Sequence, residues 1–437
     1  MPSIPVARYA RALRARGPVA LVRDRYDRWV NQKFLRKTVY PKLGAVHRRR
    51  LSFTNKRRRQ ELESSGQVEP GRVFVIICVD TEGPSAFGRN DSWDKIEAQM
   101  KELMTADFRK AYTDTEGRLP ALSWFILDWV GAPAGPRATA VGHHAILDPY
   151  EKWVNEAAGE GLQDELYWHY HHCFPNKLGS YNRDWNTHPY YDEVVCRKII
   201  ERNIYPNVYR AGNTWEDANV STWLERFVPF DLSSRGPWKN VHYDWLGAPS
   251  EWTMYHPSEE SPKRPGTQKR WMGRSVDIEL GTFYEEEIEQ AFIDASFGKD
   301  SYVSFYLHDF RPICEYMAEG INRIRTVAER YPRVSWRHEN ALSAFRALCD
   351  AQPDETLELA GSFEDGVVRI ECSHQTFGEP WLAVQTGEEF ERLDMTRDGP
   401  RSWSRVLPQT PEMYDAISAA VVDSAGQTAI LHLPAKK

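Results

Sequence analysis

Apolar and polar positions fall into three textures along this chain. Before residue 60 the apolar positions Val22, Tyr26, Trp29, Val30 and Phe34 recur at helical spacing among Arg23, Arg25, Arg28, Lys33, Arg36 and Lys37, which predicts a basic amphipathic helix. From Gly71 to about residue 350, solid apolar runs alternate with amphipathic stretches. Val73 to Val79 is an unbroken and mostly β-branched run, the signature of a strand covered on both faces. Pro120 to Val130 and Glu165 to His172 predict further strands, with a helix over Pro149 to Gly159 between them. Val208 to Ala211 and Phe227 to Leu232 are shorter extended runs, and Tyr302 to Leu307 is a late buried strand. Met317, Ile321, Ile324 and Val327 mark a helix over Glu315 to Tyr331; Val334 to Trp336 and a helix over Asn340 to Leu348 close this region. After Asp350 the period becomes two residues, as in Val368, Ile370 and Cys372, with turns at Asp365-Gly366 and at Ser424 to Gly426.

Repeated strand and helix units over some 280 residues predict an α/β domain, a parallel barrel or doubly wound sheet, over residues 71 to 350. Residues 351 to 437 predict a small antiparallel β-sandwich, and residues 1 to 70 a basic helical extension ending in the polar linker SSGQVEPG. With 437 residues and 41% hydrophobic composition, the chain has ample material for such cores.

Charge divides the molecule. Residues 1 to 60 hold 18 Lys and Arg against 2 Asp, about +16, so the remainder carries about −22 of the net −6. With the clusters Arg48 to Arg50 and Lys56 to Arg59, the extension suits an anionic membrane surface or an acidic protein partner; it also suits a helix packed on the main domain with its arginines in water. Nucleic acid is the poorer fit, because no recognition motif accompanies the charge. Six cysteines without a Cys-x-x-Cys pair point to reduced thiols, and no apolar run is long enough for a leader or membrane span, so a cytoplasmic location is expected, peripheral at the inner membrane face if the extension binds lipid.

Candidate chemistry collects at strand ends, where parallel α/β folds place it. Asp80 and Glu82 follow the first strand; Asp80 either caps the turn before Gly83-Pro84 or serves a site. The third strand brings His169, His171 and His172, and alternation puts His169 and His171 on one face. Two imidazoles and a carboxylate make the three-ligand set with an open position that catalytic zinc uses. Arg210, Asp231 and His308-Asp309 end later strands, and His308 is a candidate proton donor.

The order CVDTEGP, WHYHHCFP, YRAGNTWEDAN, DLSSRGP and YLHDF resembles the motifs of the polysaccharide deacetylase family, also called NodB-like or carbohydrate esterase family four. The resemblance covers about residues 71 to 350. It implies an irregular (β/α) barrel that removes acyl groups from sugars with a divalent metal. Asp80 would be the catalytic base, Glu82 and His169 metal ligands with His171 or else His172, Arg210 the residue that orients Asp80, and His308 the acid. Asp-x-Glu and His-x-His-His depart from the family's usual spacing, which leaves the second histidine open. Asp231 or Asp277 is the expected carboxylate partner of His308, since Asp309 should face away. The metal would be Zn2+ foremost, with Fe2+, Co2+ or Ni2+ as alternatives.

The expected function is therefore metal-dependent deacylation of an amino sugar, lipid-linked or nucleotide-linked, in polysaccharide or glycoconjugate synthesis. Alternatives are hydrolysis of a cyclic amide or glycoside on the same fold, and a non-catalytic glycan-binding or scaffold role. Trp168, Trp185, Trp215, Trp238, Trp245 and Trp252 offer ring faces for sugars or side chains for the core, and the five cations of Lys263 to Arg274 either meet an acidic substrate or stand in water.

Overall fold

The computed structural model describes residues 40–66, 68–83, 93–128, 144–170, 189–238 and 244–434. The helix expected through Val22 to Phe34 lies outside them, as do His171, His172 and Trp185.

A parallel sheet curls into a nearly closed barrel. Its strands are β1 (Val73–Thr81), β2 (Leu122–Leu127), β3 (Glu165–Tyr170), β4 (Val208–Ala211) and β5 (Phe230–Ser234), followed by a small hairpin of β6 (Pro257–Ser258) and β7 (Ser261–Pro265). β8 (Trp271–Arg274), β9 (Val276–Asp277), β10 (Ser301–His308) and β11 (Trp336–His338) complete the set. The hydrogen-bonded order is β8-β5-β4-β3-β2-β1-β10-β9. β8 and β9 are consecutive pieces parted only by Ser275; the first pairs with β5 and the second with β10, so one extended segment joins the two ends of the path. β1 is the most enclosed strand. Its first three residues pair with β11 along the edge whose later residues pair with β2, and β10 runs the length of the other edge. All nine of its residues are buried, as an apolar run without alternation requires.

Helices α1 (Tyr40–Ser64), α2 (Trp93–Leu103), α3 (Leu147–Gly159), α4 (Pro189–Arg202), α5 (Ala218–Leu224), α6 (Glu285–Ser296), α7 (Ile313–Ala328) and α8 (Ala341–Leu348) surround the sheet. In α7 the buried residues Met317, Ile321, Ile324 and Val327 are those of the expected apolar stripe. Among the described residues, no helix is long and apolar enough to cross a membrane.

α1 packs on α6 through a row of ion pairs and one buried amide. Arg48 meets Glu286 at 2.9 Å, Arg58 meets Asp294 at 2.7 Å, and Arg59 meets Glu289 at 2.9 Å. Asn55 is fully buried between the helices and donates to the Glu286 carbonyl at 2.8 Å and to Glu289 at 3.1 Å. The arginine side chains of these pairs are partly exposed and each pair is individually weak, so the buried amide carries much of the docking. Asn55→Ala is expected to lower the unfolding free energy by about 1–2 kcal/mol, read from urea denaturation; a change near zero would show that α1 is not held there.

The C-terminal region forms two antiparallel sheets facing one another, as expected of a sandwich. One is β12 (Leu359–Glu364), β13 (Val367–Cys372), β17 (Ser402–Val406) and β16 (Thr396–Gly399); the other is β15 (Glu389–Leu393), β14 (Trp381–Thr386), β18 (Ala416–Val422) and β19 (Thr428–Leu433). Between them lie Val368, Ile370, Leu382, Trp403 and Ile417. The outer side of the second sheet is also covered. Trp381 and Val422 share a buried cluster with Cys196 of α4 and with Trp223 and Phe227 beside the barrel, and the Trp381 Nε1–H donates to Cys196 Sγ at 3.3 Å. The sandwich is thus built into the flank of the barrel. Cys78, Cys196, Cys314, Cys349 and Cys372 are all free thiols.

Candidate active site

Strand register decides which side chains meet. In a parallel pair, facing residues share a side of the sheet, and the side alternates along each strand. Asp80 faces His308, and His169 faces Arg210. The four side chains converge at the carboxyl ends of β1, β3, β4 and β10. Arg210 Nε donates to Asp80 Oδ1 at 2.7 Å, and His169 Nδ1 lies 3.9 Å from the same oxygen. His308 Nε2 lies 3.9 Å from Glu82 Oε1. Asp80, Glu82, His169 and Arg210 are buried, whereas the His308 side chain keeps 19% exposure and so borders the open side of the site.

Arg210 fixes the Asp80 carboxylate by a direct ion pair. Its guanidinium is completely buried, lies 3.8 Å over the Tyr306 ring and donates to the Leu232 carbonyl at 2.7 Å, which fixes it in place. Burial disfavours its charge, but Asp80, with Tyr306 and Cys78 behind it, outweighs burial and raises its pKa.

His308 is supported from the opposite sign. Glu279 Oε1 accepts from His308 Nδ1 at 3.0 Å and from its backbone N–H at 2.7 Å, and Arg311 Nε donates to Glu279 Oε2 at 3.2 Å. Burial works against a charged imidazole, but Glu279, with Glu82 and Asp80 behind it, raises the His308 pKa to about 10. Nε2 carries the proton that faces the site.

Asp309 faces away, as alternation requires, and does a different job. Its Oδ1 accepts from the Glu82 N–H at 3.0 Å, and its Oδ2 accepts from the Gly83 N–H at 2.9 Å and the Tyr150 hydroxyl at 2.9 Å. The chain curls over this carboxylate with Gly83 at φ +62, a left-handed turn that glycine adopts without strain. Burial raises the Asp309 pKa to about 6 despite those three donors. Asp309 therefore positions Glu82.

Asp231 does not join the constellation. It faces Tyr209, one residue before Arg210, and so lies on the other side of the sheet. There Arg270 donates to its Oδ2 at 2.7 Å and also pairs with Glu216, all three fully buried. Asp277 also fails to reach His308; its carboxylate accepts from the Tyr306 hydroxyl at 3.1 Å and lies 3.6 Å from Arg235. The residue that sequence reading missed is Glu279, two positions further along the same segment.

Other expected ligand contacts are occupied by the protein itself. Of the cations in Lys263 to Arg274, Arg270 and Arg274 are buried in pairs with Glu216 and Glu287, and Lys263 lies 3.6 Å from Asp244. Trp168, Trp238, Trp245 and Trp252 are buried, while Trp215 is half-buried and lines a cavity of about 440 Å³ with Asp217, Asp244 and Lys263.

Two of the donors expected for a divalent cation, Glu82 and His169, are among the described residues. His169 Nδ1–H donates to the Arg210 carbonyl at 2.8 Å, so Nε2 is the nitrogen with which this imidazole would bind a metal, a carbonyl-backed arrangement usual for metal histidines. Glu82 supplies a buried carboxylate set by Asp309. Among the described residues no group of three metal-ligating side chains occurs, the remaining expected donor being His171 or His172.

No family model matches the chain, and no curated protein matches it in sequence. Among solved structures it is similar to a "putative glycoside hydrolase/deacetylase" from Parabacteroides distasonis, with 11% identity and a TM-score of 0.38 over 84% of this chain and 85% of that one.

Proposed function

We propose that the protein is a metal-dependent hydrolase that removes an acetyl or other acyl group from the nitrogen of an amino sugar. The observation that supports it is the pairing of oppositely supported groups on adjacent strands: Asp80 accepts from the buried Arg210 guanidinium at 2.7 Å, and His308 Nδ1 donates to Glu279 at 3.0 Å. With its pKa raised to about 10, His308 can act as an acid at a pH where a carboxylate acts as a base.

Amide hydrolysis needs both. The Asp80 carboxylate takes a proton from water as the water oxygen bonds to the acyl carbon. His308 then gives its Nε2 proton to the nitrogen as the carbon–nitrogen bond breaks, because an unprotonated amide anion is a very poor leaving group. Carboxylate and free amine are the products. Arg210 keeps Asp80 ionised and aimed throughout, and Asp309 holds the Glu82 backbone beside it. Glu82, His169 and either His171 or His172 would hold the cation, Zn2+ foremost with Fe2+, Co2+ or Ni2+ as alternatives, which when bound polarises a carbonyl and acidifies water. The substrate in this reading is an intermediate of glycoconjugate assembly carried on a lipid or nucleotide.

Acetate released from a panel of N-acetylated sugars, including lipid-linked and nucleotide-linked ones, is the direct test. Chelation is expected to abolish release and Zn2+ to restore it, with close to one equivalent of metal per chain by elemental analysis. New reducing ends without acetate would instead make the enzyme a glycosidase. A chain that takes up no metal and releases nothing would be a binding protein.

A further inference from the structure

The outward face of α1 is chemically unlike the face that meets α6. Helical geometry puts Gly44, Arg48, Leu51, Asn55 and Arg59 on the inner side, where Leu51 is buried and the others meet Tyr284, Glu286 and Glu289. Val46, Arg49, Arg50, Phe53, Lys56 and Arg57 fall on the opposite side, and all six are exposed. Phe53 keeps 74% exposure and Val46 65%, and four cations surround them. The acids of α1 lie in its last turns: Glu61, paired with Arg57 at 3.0 Å, and the exposed Glu63.

We infer that this face docks on an anionic lipid surface. Two features together select that occupant. Cations alone would suit any polyanion, but an exposed Phe and Val between them suit a layer with phosphates at its surface and acyl chains beneath. Charge favours this end of the chain: residues 61 to 437 carry about −22, which disfavours wrapping by an extended polyanion such as nucleic acid more than contact of one helix face with a flat anionic bilayer. The preceding residues 1 to 39 add ten Lys and Arg against two Asp, of the same sign.

Docking in this way also orients the barrel. α1 runs in the same direction as α6, from Gly44 against Tyr284 to Arg58 against Asp294. Since α6 leaves from the carboxyl end of β9, the start of α1 lies at the barrel end that carries Asp80 and His308. Lipid bound along α1 therefore runs up to the rim of the candidate site. The surface itself is argued from α1 alone and stands whatever reaction the site performs.

The test is co-sedimentation of the full chain with vesicles of phosphatidylcholine, with and without about one third phosphatidylglycerol. Binding is expected to the mixed vesicles and to fall as salt is raised. The combined variant Arg49→Gln, Arg50→Gln, Lys56→Gln, Arg57→Gln is expected to weaken it at least about tenfold, and Phe53→Ser several-fold with every charge retained. Arg48→Gln, on the inner face, should bind as the parent does. Equal binding by the fourfold variant would move the contact to residues 1–39 and overturn the inference. So would absence of binding to the mixed vesicles, or displacement by duplex DNA from a protein indifferent to Phe53→Ser.

Discussion

Asp80→Asn lowers kcat for acyl release by about 10³-fold, within the range that a positioned general base contributes. Asparagine has the shape of aspartate and can accept the Arg210 Nε–H bond, but it cannot take a proton from water. KM should move little, because the lost interaction arises as the water proton is transferred rather than when substrate binds. A second consequence follows from burial. Arg210 is fully enclosed and loses its counter-charge in the variant, and an unpaired buried cation costs about 3–5 kcal/mol of stability. Activity must therefore be read well below the melting transition, with circular dichroism confirming that the chain is folded and elemental analysis confirming that metal is retained. Full turnover by a folded, metal-loaded Asp80→Asn protein would remove Asp80 as the base. Destabilisation without loss of turnover would leave it only the structural role of neutralising Arg210.

The chemistry visible in the sequence was that carried by solid strands. Val73 to Val79 is apolar without alternation because both its faces are covered, and its end could be read directly as the place where Asp80 emerges. His169, Arg210 and His308 likewise end strands, and register brings them together. Asp231 sits on a strand that was equally readable but lies on its wrong side, since one residue of register decides which face a side chain joins. Glu279 was hidden for another reason. It follows the two-residue strand Val276–Asp277, in a stretch whose upstream part reads as a cationic loop. Arg274 is a strand residue of the barrel wall and Arg270 immediately precedes that strand; they are neutralised by Glu287 and Glu216. Those acids lie 54 and 13 residues away along the chain, so the pattern of charge around the cations does not reveal the pairing. The basic character of Arg48 to Arg59 was plain, yet half of its meaning lies in the acidic side of α6, more than 200 residues later.

Glu279→Gln moves the alkaline limb of the pH–rate profile toward neutrality. As a general acid His308 is active only when protonated, so activity is lost as pH rises through its pKa. With Glu279 in place that pKa is about 10, and the limb lies at the alkaline edge of the measurable range. Glutamine keeps an acceptor for Nδ1–H but removes the charge, and burial then lowers the pKa unopposed by its nearest carboxylate. Glu82 and Asp80 also face the imidazole, but Arg210 already neutralises Asp80, and a cation held by Glu82 would cancel its share. Rates should therefore be close to the parent near pH 6 and at least about tenfold lower near pH 9, as expected when the pKa drops by two units or more. A general loss of equal size at every pH would instead mean that Glu279 only holds the imidazole in place. Arg311→Gln, which removes the other partner of Glu279 but not its charge, is expected to leave the limb near its original position. That contrast separates the charge of Glu279 from the rigidity of its surroundings.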